Sequence, residues 1–152
     1  MSDRWAFLTA FTTLVLVVAG AFVIPQFFWY ELFKSLMYLV IALMIFFGED
    51  QFSYMLGIVV PPLWFILDIV MGEFFGDFAV LFGSLTGKAS RPMDTPLHGL
   101  ALITQALLFL LCLRAWRKQV TGKFFGKAFG ICLGIAIVYV AILAVWRFRM
   151  PA

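Results

Sequence analysis

Charge is scarce in this chain. Asp, Glu, Lys and Arg together make up 12% of its 152 residues, against roughly a quarter in an ordinary soluble domain. Hydrophobic residues make up 64% and the mean hydropathy is +1.06. A soluble fold with so little polar surface would be apolar outside as well as inside, and would not stay dispersed. Lipid is the solvent that fits.

Histidine is limited to His98, and cysteine to Cys112 and Cys132. Without CxxC, CxxCH or a paired Cys/His set, the chain has no support for a disulfide framework, a zinc site or covalent haem attachment. One histidine cannot supply bis-histidine haem ligation either. Both cysteines fall inside apolar runs and read as small core residues. A Walker loop, HExxH, a dinucleotide fingerprint and a nucleophile elbow are all missing, and GSLTG at 83–87 reads as a flexible turn. No cofactor or metal is assigned on this pattern. The net charge of +3 does not indicate nucleic acid, because the basic residues sit in short gaps between apolar runs, as in membrane proteins.

What the sequence has instead is length of apolar run. About 20 apolar residues in a helix cross about 30 Å of hydrocarbon, and five stretches come close: 5–24, 27–47, 52–71, 96–116 and 124–146. Membrane strands would alternate over about ten residues, so these are helices. The expected fold class is an all-α integral membrane protein, a single compact bundle of about five transmembrane helices. Pro96 is expected at the first position of the fourth, with Asp94 or Thr95 as cap. The apolar but acidic stretch 73–82, with Glu73 and Asp77, reads as an interfacial helix. Pro61-Pro62 leaves an alternative, in which 52–82 is a re-entrant or interfacial segment and only four spans cross. Ala19-Gly20-Ala21 matches a small-x-small cleavage pattern, but its apolar run is long for a signal peptide, and a retained helix is expected.

Short links make neighbouring spans antiparallel. One end of the bundle then holds Arg4, Arg114, Arg117, Lys118, Lys123 and Lys127, and the other holds Lys34, Lys88, Arg91, Arg147 and Arg149. The dense cluster from Arg114 to Lys127 places its end, and the amino terminus, inside. A cytoplasmic membrane of bacterial type is the expected home. Anionic lipid headgroups are the expected partners of that cluster, with Glu49 and Asp50 on the same side as competing ion-pair partners. Trp5, Trp29, Tyr30, Trp116 and Trp146 fall near span ends, as an interfacial belt would.

Ionisable residues at membrane depth are candidates for function. Asp68 and His98 lie at similar depth at one end, with Glu73, Asp77 and Asp94 nearby. Asp94, His98 and Gln105 form a polar stripe, continued through Ala101, Leu108 and Cys112, that is expected to face inward. Asp68, His98, Asp94 and Glu73 are the candidate acid–base residues, set against the simpler reading that water reaches them near the interface. Glu31 and Lys34, followed by Ser35 and Tyr38, read as an intrahelical ion pair near the headgroups or, more sharply, as the lining of a conduction path. Gly126, Gly130 and Gly134 form a doubled small-xxx-small motif for close helix packing, with packing inside the chain slightly favoured over self-association or another subunit. Three function classes follow. The first is a non-catalytic accessory or structural subunit of a membrane complex. The second is a small homo-oligomeric transporter or channel, and the third, least supported, is an enzyme using His98.

Overall fold

The structure is a computed structural model that describes residues 2–87 and 96–149. Its elements are six α-helices: α1 Ser2–Val23, α2 Phe28–Phe46, α3 Asp50–Met71, α4 Glu73–Leu85, α5 Leu97–Gln119 and α6 Lys127–Arg149, with a single 3-10 turn at Pro25–Phe27. No strand occurs among the described residues. Five helices are long and apolar enough to cross a membrane, all except α4. The protein is an all-α helical bundle of integral membrane type.

The reading with four spans and a re-entrant 52–82 segment is not what forms. α3 runs unbroken through Pro61 and Pro62. A proline inside a helix removes an N–H and crowds the carbonyl four residues back, yet in a membrane helix neighbouring helices can cover the disturbed backbone. α3 is the span best placed for this. It touches α2, α4, α5 and α6, and 61% of its apolar window is buried, the most of the five. The break comes instead at Gly72, whose φ of 76° ends α3 and opens α4. Only glycine adopts that left-handed conformation at little cost.

Helix contacts depend on small residues and on hydroxyls that find carbonyls. Gly57 of α3 lies against the Cys112 side chain of α5. Thr9 and Thr13 donate to the carbonyls of Trp5 and Thr9, each at 2.8 Å, so that neither hydroxyl is left bare in lipid. Tyr139 ties α6 to α2 by donating to the carbonyls of Lys34 and Phe33, at 2.7 and 2.9 Å. At the other end Tyr54 donates to Gln119 Oε1 at 3.0 Å. Gly20 and Ala21 serve as packing positions of α1, Ala21 fully buried and Gly20 against the His98 ring.

Several expectations shift. α5 begins at Leu97 with Pro96 as its cap residue, and no side chain caps it; Asp94 and Thr95 lie outside the described residues. Residues 83–85 belong to α4, which shortens the expected turn to 86–87. Tyr30 and Trp116 are core rather than belt residues, at 4% and 3% exposure, whereas Trp5 and Trp29 are exposed.

A methyl group at Gly57 would land on Cys112 Sγ, and overpacking of this kind typically costs about 1–3 kcal/mol. Gly57→Ala should lower the melting temperature of the detergent-solubilised protein. Adding Cys112→Ala should recover part of the loss. Two additive losses in this double variant would show that the α3–α5 contact does not control stability.

Candidate functional site

Antiparallel spans bring the end of α1, the start of α2, the end of α3, the start of α5 and the end of α6 to one end of the bundle, with α4 beside them. This acidic end holds nearly all the charge found at membrane depth. Glu31 and Lys34, one turn apart on α2, are both buried, with side chains 8% exposed and Lys34 Nζ 4.0 Å from Glu31 Oε1. Lys34 Nζ also lies over the Trp64 ring of α3, 4.1 Å from its centroid, so the ammonium is held between a carboxylate and an aromatic face. Asp68, one turn beyond Trp64, is 4% exposed and interacts electrostatically with Lys34.

His98 comes from the first turn of α5. Its Nε2 is 3.6 Å from Glu31 Oε1, and its ring lies over Gly20, where a built Cβ would be 3.2 Å from Cε1. The glycine makes the flat seat that the imidazole needs. Around this cluster, Arg147 of α6 donates from Nε and Nη2 to Glu73 Oε1 at 3.0 and 2.7 Å, and its guanidinium covers the Phe27 ring at 4.8 Å. A cavity of about 130 Å³ lies between these elements, walled by Ile24, Phe27, Tyr30 and Glu31 on one side and by Glu73, Asp77, His98 and Arg147 on the other.

The polar interior continues inward and then stops. Buried polar atoms without a hydrogen-bond partner among the described residues are Glu31 Oε2, Trp64 Nε1, Tyr38 OH and Gln105 Oε1. At a rise of about 1.5 Å per residue they reach roughly 10–15 Å in from the acidic end. Deeper, the core is Ile41, Met55, Ile58, Leu108 and Cys112, all buried. Thr9 and Thr13 of α1 are buried at middle depth with their hydroxyls taken up by their own helix, and other buried polar side chains return near the opposite end, with Ser53 and Tyr54. The chamber is blind.

No protein-family model, curated protein or solved structure matches this chain. The site is therefore read from its own geometry.

The sequence candidates come apart on this geometry. His98 is engaged by Glu31 of α2 rather than by Asp68, and Asp68 belongs to the Lys34–Trp64 side of the cluster. Glu73 is held by Arg147, a partner 74 residues away that no local spacing indicates. Asp94 lies outside the described residues. Gln105, Ala101, Leu108 and Cys112 are buried on α5. Glu31 and Lys34, read from sequence as a headgroup pair, are the most buried ion pair described. Their depth is signalled only by Ser35, Tyr38 and Ile41 continuing the same helix face.

Gly130 and Gly134 do not pack inside the chain, whereas Gly126 precedes α6 and lies against the Lys123 carbonyl. A Cβ at Gly130 or Gly134 would meet nothing within 4 Å. α6 turns Ala128, Cys132, Ala136, Tyr139 and Leu143 inward instead, on the opposite side of the helix. Cys112 and Cys132 are free and buried, as small core residues would be. Among the described residues no cluster of three or more His, Cys, Asp or Glu has the arrangement of a metal site.

Asp77 lies on α4, outside the spans. Burial raises its carboxyl above the ordinary aspartate value, opposed by the neighbouring His98. A raised folded-state value means that the protonated acid contributes stability at low pH, and this is lost as pH rises through the raised value. Asp77→Asn should therefore leave melting unchanged near about pH 4 and raise it by a few degrees near neutral pH. Equal melting of the two proteins from about pH 4 to about pH 8 would contradict the assignment.

Proposed function

We propose that the protein is a non-catalytic accessory or structural subunit of a larger membrane assembly. The observation that carries this reading is the outer face of α6. Only 28% of its apolar window is buried, the least of the five spans, which otherwise run from 39% to 61%. Along that outer face Gly126, Gly130 and Gly134 are continued by Val138, Ala141 and Val145, with Val138, Ala141, Ile142 and Val145 lining a shallow apolar groove of about 540 Å³. Small residues at this spacing let a second backbone approach closely, and helix association in lipid depends on such packing. Ile131, Ile135 and Ile142 stand exposed beside this stripe, so a partner backbone would approach over the glycines between them.

The blind chamber supports the same reading over transport. A conduction path through one chain would have to pass the apolar layer of Ile41, Met55, Ile58, Leu108 and Cys112, where a bare ion is costly. A homo-oligomeric transporter is the second reading, favoured by the same α6 stripe if its occupant is another copy.

The orientation we propose rests on the basic cluster. Arg114, Arg117, Lys118, Lys123 and Lys127 are exposed, and no ion pair joins Glu49 to them among the described residues. At the other end Lys34 and Arg147 are engaged by acids, and of the described basic residues there Arg149 alone is exposed. The free positive charge thus favours a cytoplasmic α5–α6 turn, bound to anionic lipid headgroups, and an extracytoplasmic chamber.

Native mass spectrometry after gentle extraction should show an unrelated subunit at fixed stoichiometry, lost in Gly130→Leu and Gly134→Leu. A monomer in the wild type, or a partner that survives both substitutions, would sink the proposal, and a homo-oligomer would establish the second reading. Bound anionic lipid in the same spectra should fall when Arg117 and Lys118 are replaced by glutamine. For orientation, Thr121→Cys should resist an impermeant maleimide on intact cells; labelling there would reverse the topology.

A further inference from the structure

The chamber at the acidic end has a chemistry of its own, independent of what covers α6. Four carboxylates, Glu31, Asp68, Glu73 and Asp77, gather there against two fixed cations, Lys34 and Arg147, with His98 between them. Counted over these seven described residues, with His98 protonated, one negative charge is in excess. Glu31 is more than nine-tenths buried in the cavity wall, and its Oε2 has no partner among the described residues. Its Oε1 is already met by Lys34 and His98, so it is Oε2 alone that calls for a further donor, since a buried carboxylate oxygen with no hydrogen bond is costly.

We propose that this chamber binds a small primary ammonium ion, either a free amine or the head of an amine-bearing lipid. The size is right, since a cavity of about 150 Å³ accommodates a benzene-sized molecule, and this one is about 130 Å³. An ammonium brings three donors and forms short charge-assisted bonds to carboxylates such as Glu31 and Asp77. A quaternary ammonium has no N–H to give them and depends on aromatic faces, of which Phe27 is already covered by Arg147. A metal ion finds no cluster of three suitable ligands among the described residues, and an anion would meet the charge excess. Entry is past Glu73 and Arg147, whose side chains are 38% and 25% exposed and which link α4 to α6 across the mouth.

The test is calorimetric titration of ethanolamine and methylammonium into the full chain in phosphatidylcholine nanodiscs, with choline as the quaternary control. Both primary amines should bind saturably, choline should not, and Glu31→Gln and Asp77→Asn should each weaken binding at least tenfold. Asp77→Asn keeps the test sound if Glu31→Gln misfolds, because Asp77→Asn is expected to melt higher than the wild type while binding less. Repeating the titration in phosphatidylethanolamine nanodiscs separates the sources. Loss of soluble-amine binding there marks a lipid head as the occupant, and unchanged binding marks a free amine. The proposal is overturned by choline binding as tightly as ethanolamine, or by equal binding in wild type and Asp77→Asn. It is overturned equally if no amine binds in phosphatidylcholine and phosphatidylethanolamine brings no rise in melting. None of these results depends on a partner subunit, so either proposal can fail alone.

Discussion

A buried ion pair in lipid has no water to retreat to, and the Glu31–Lys34 pair imposes that condition on one end of this bundle. Removing one member of such a pair typically costs about 3–5 kcal/mol, because the other charge is left uncompensated. The surroundings are arranged accordingly. Trp64 places its ring under the ammonium, Asp68 stands one helical turn further along, and His98 reaches Glu31 from α5. Three spans are thereby tied at one depth. The seat for the imidazole comes from a fourth, through Gly20 of α1, and Tyr139 of α6 donates to the carbonyl of Lys34 itself. Every long helix of the bundle therefore makes some contact with this cluster or with the backbone that carries it.

The opposite half is built on other terms. Its interior is apolar and its charges face outward at the α5–α6 turn, where Arg117, Trp116, Phe124 and Phe125 border a surface groove. The two halves meet at the layer of Ile41, Ile58 and Leu108. An asymmetric bundle of this kind suits a protein that receives something at one face more than one that passes it across, since the desolvation cost falls again on any charge beyond Gln105.

The spans were legible because each depends on a property local in sequence, namely run length without charge. α4 was legible for the same reason, from an apolar stretch interrupted by Glu73 and Asp77. Long-range pairing was not. Asp68 and His98 look matched on a hairpin of antiparallel helices, but helix rotation decides which side chain faces which, and rotation brought Glu31 of a third helix to His98. Arg147 and Glu73 were hidden likewise, one in the last turn of α6 and the other in a separate short helix. Tyr30 and Trp116 misled because an aromatic at a span end satisfies both the belt pattern and the core pattern, and only packing distinguishes them.

The glycines of α6 show the same limit from the other direction. Periodicity of four says that one face is small; it carries no sign of which way that face turns. Here the inward face is also small, since Ala128, Cys132 and Ala136 are what allow α6 to approach α3. Exposed isoleucines flank the outer stripe, but its glycines give up dispersion contacts with acyl chains and gain nothing for it among the described residues. Close backbone approach is the interaction that such a surface serves in lipid. The inner stripe already has that role against α3, and the outer stripe repeats its spacing where the described residues supply no helix.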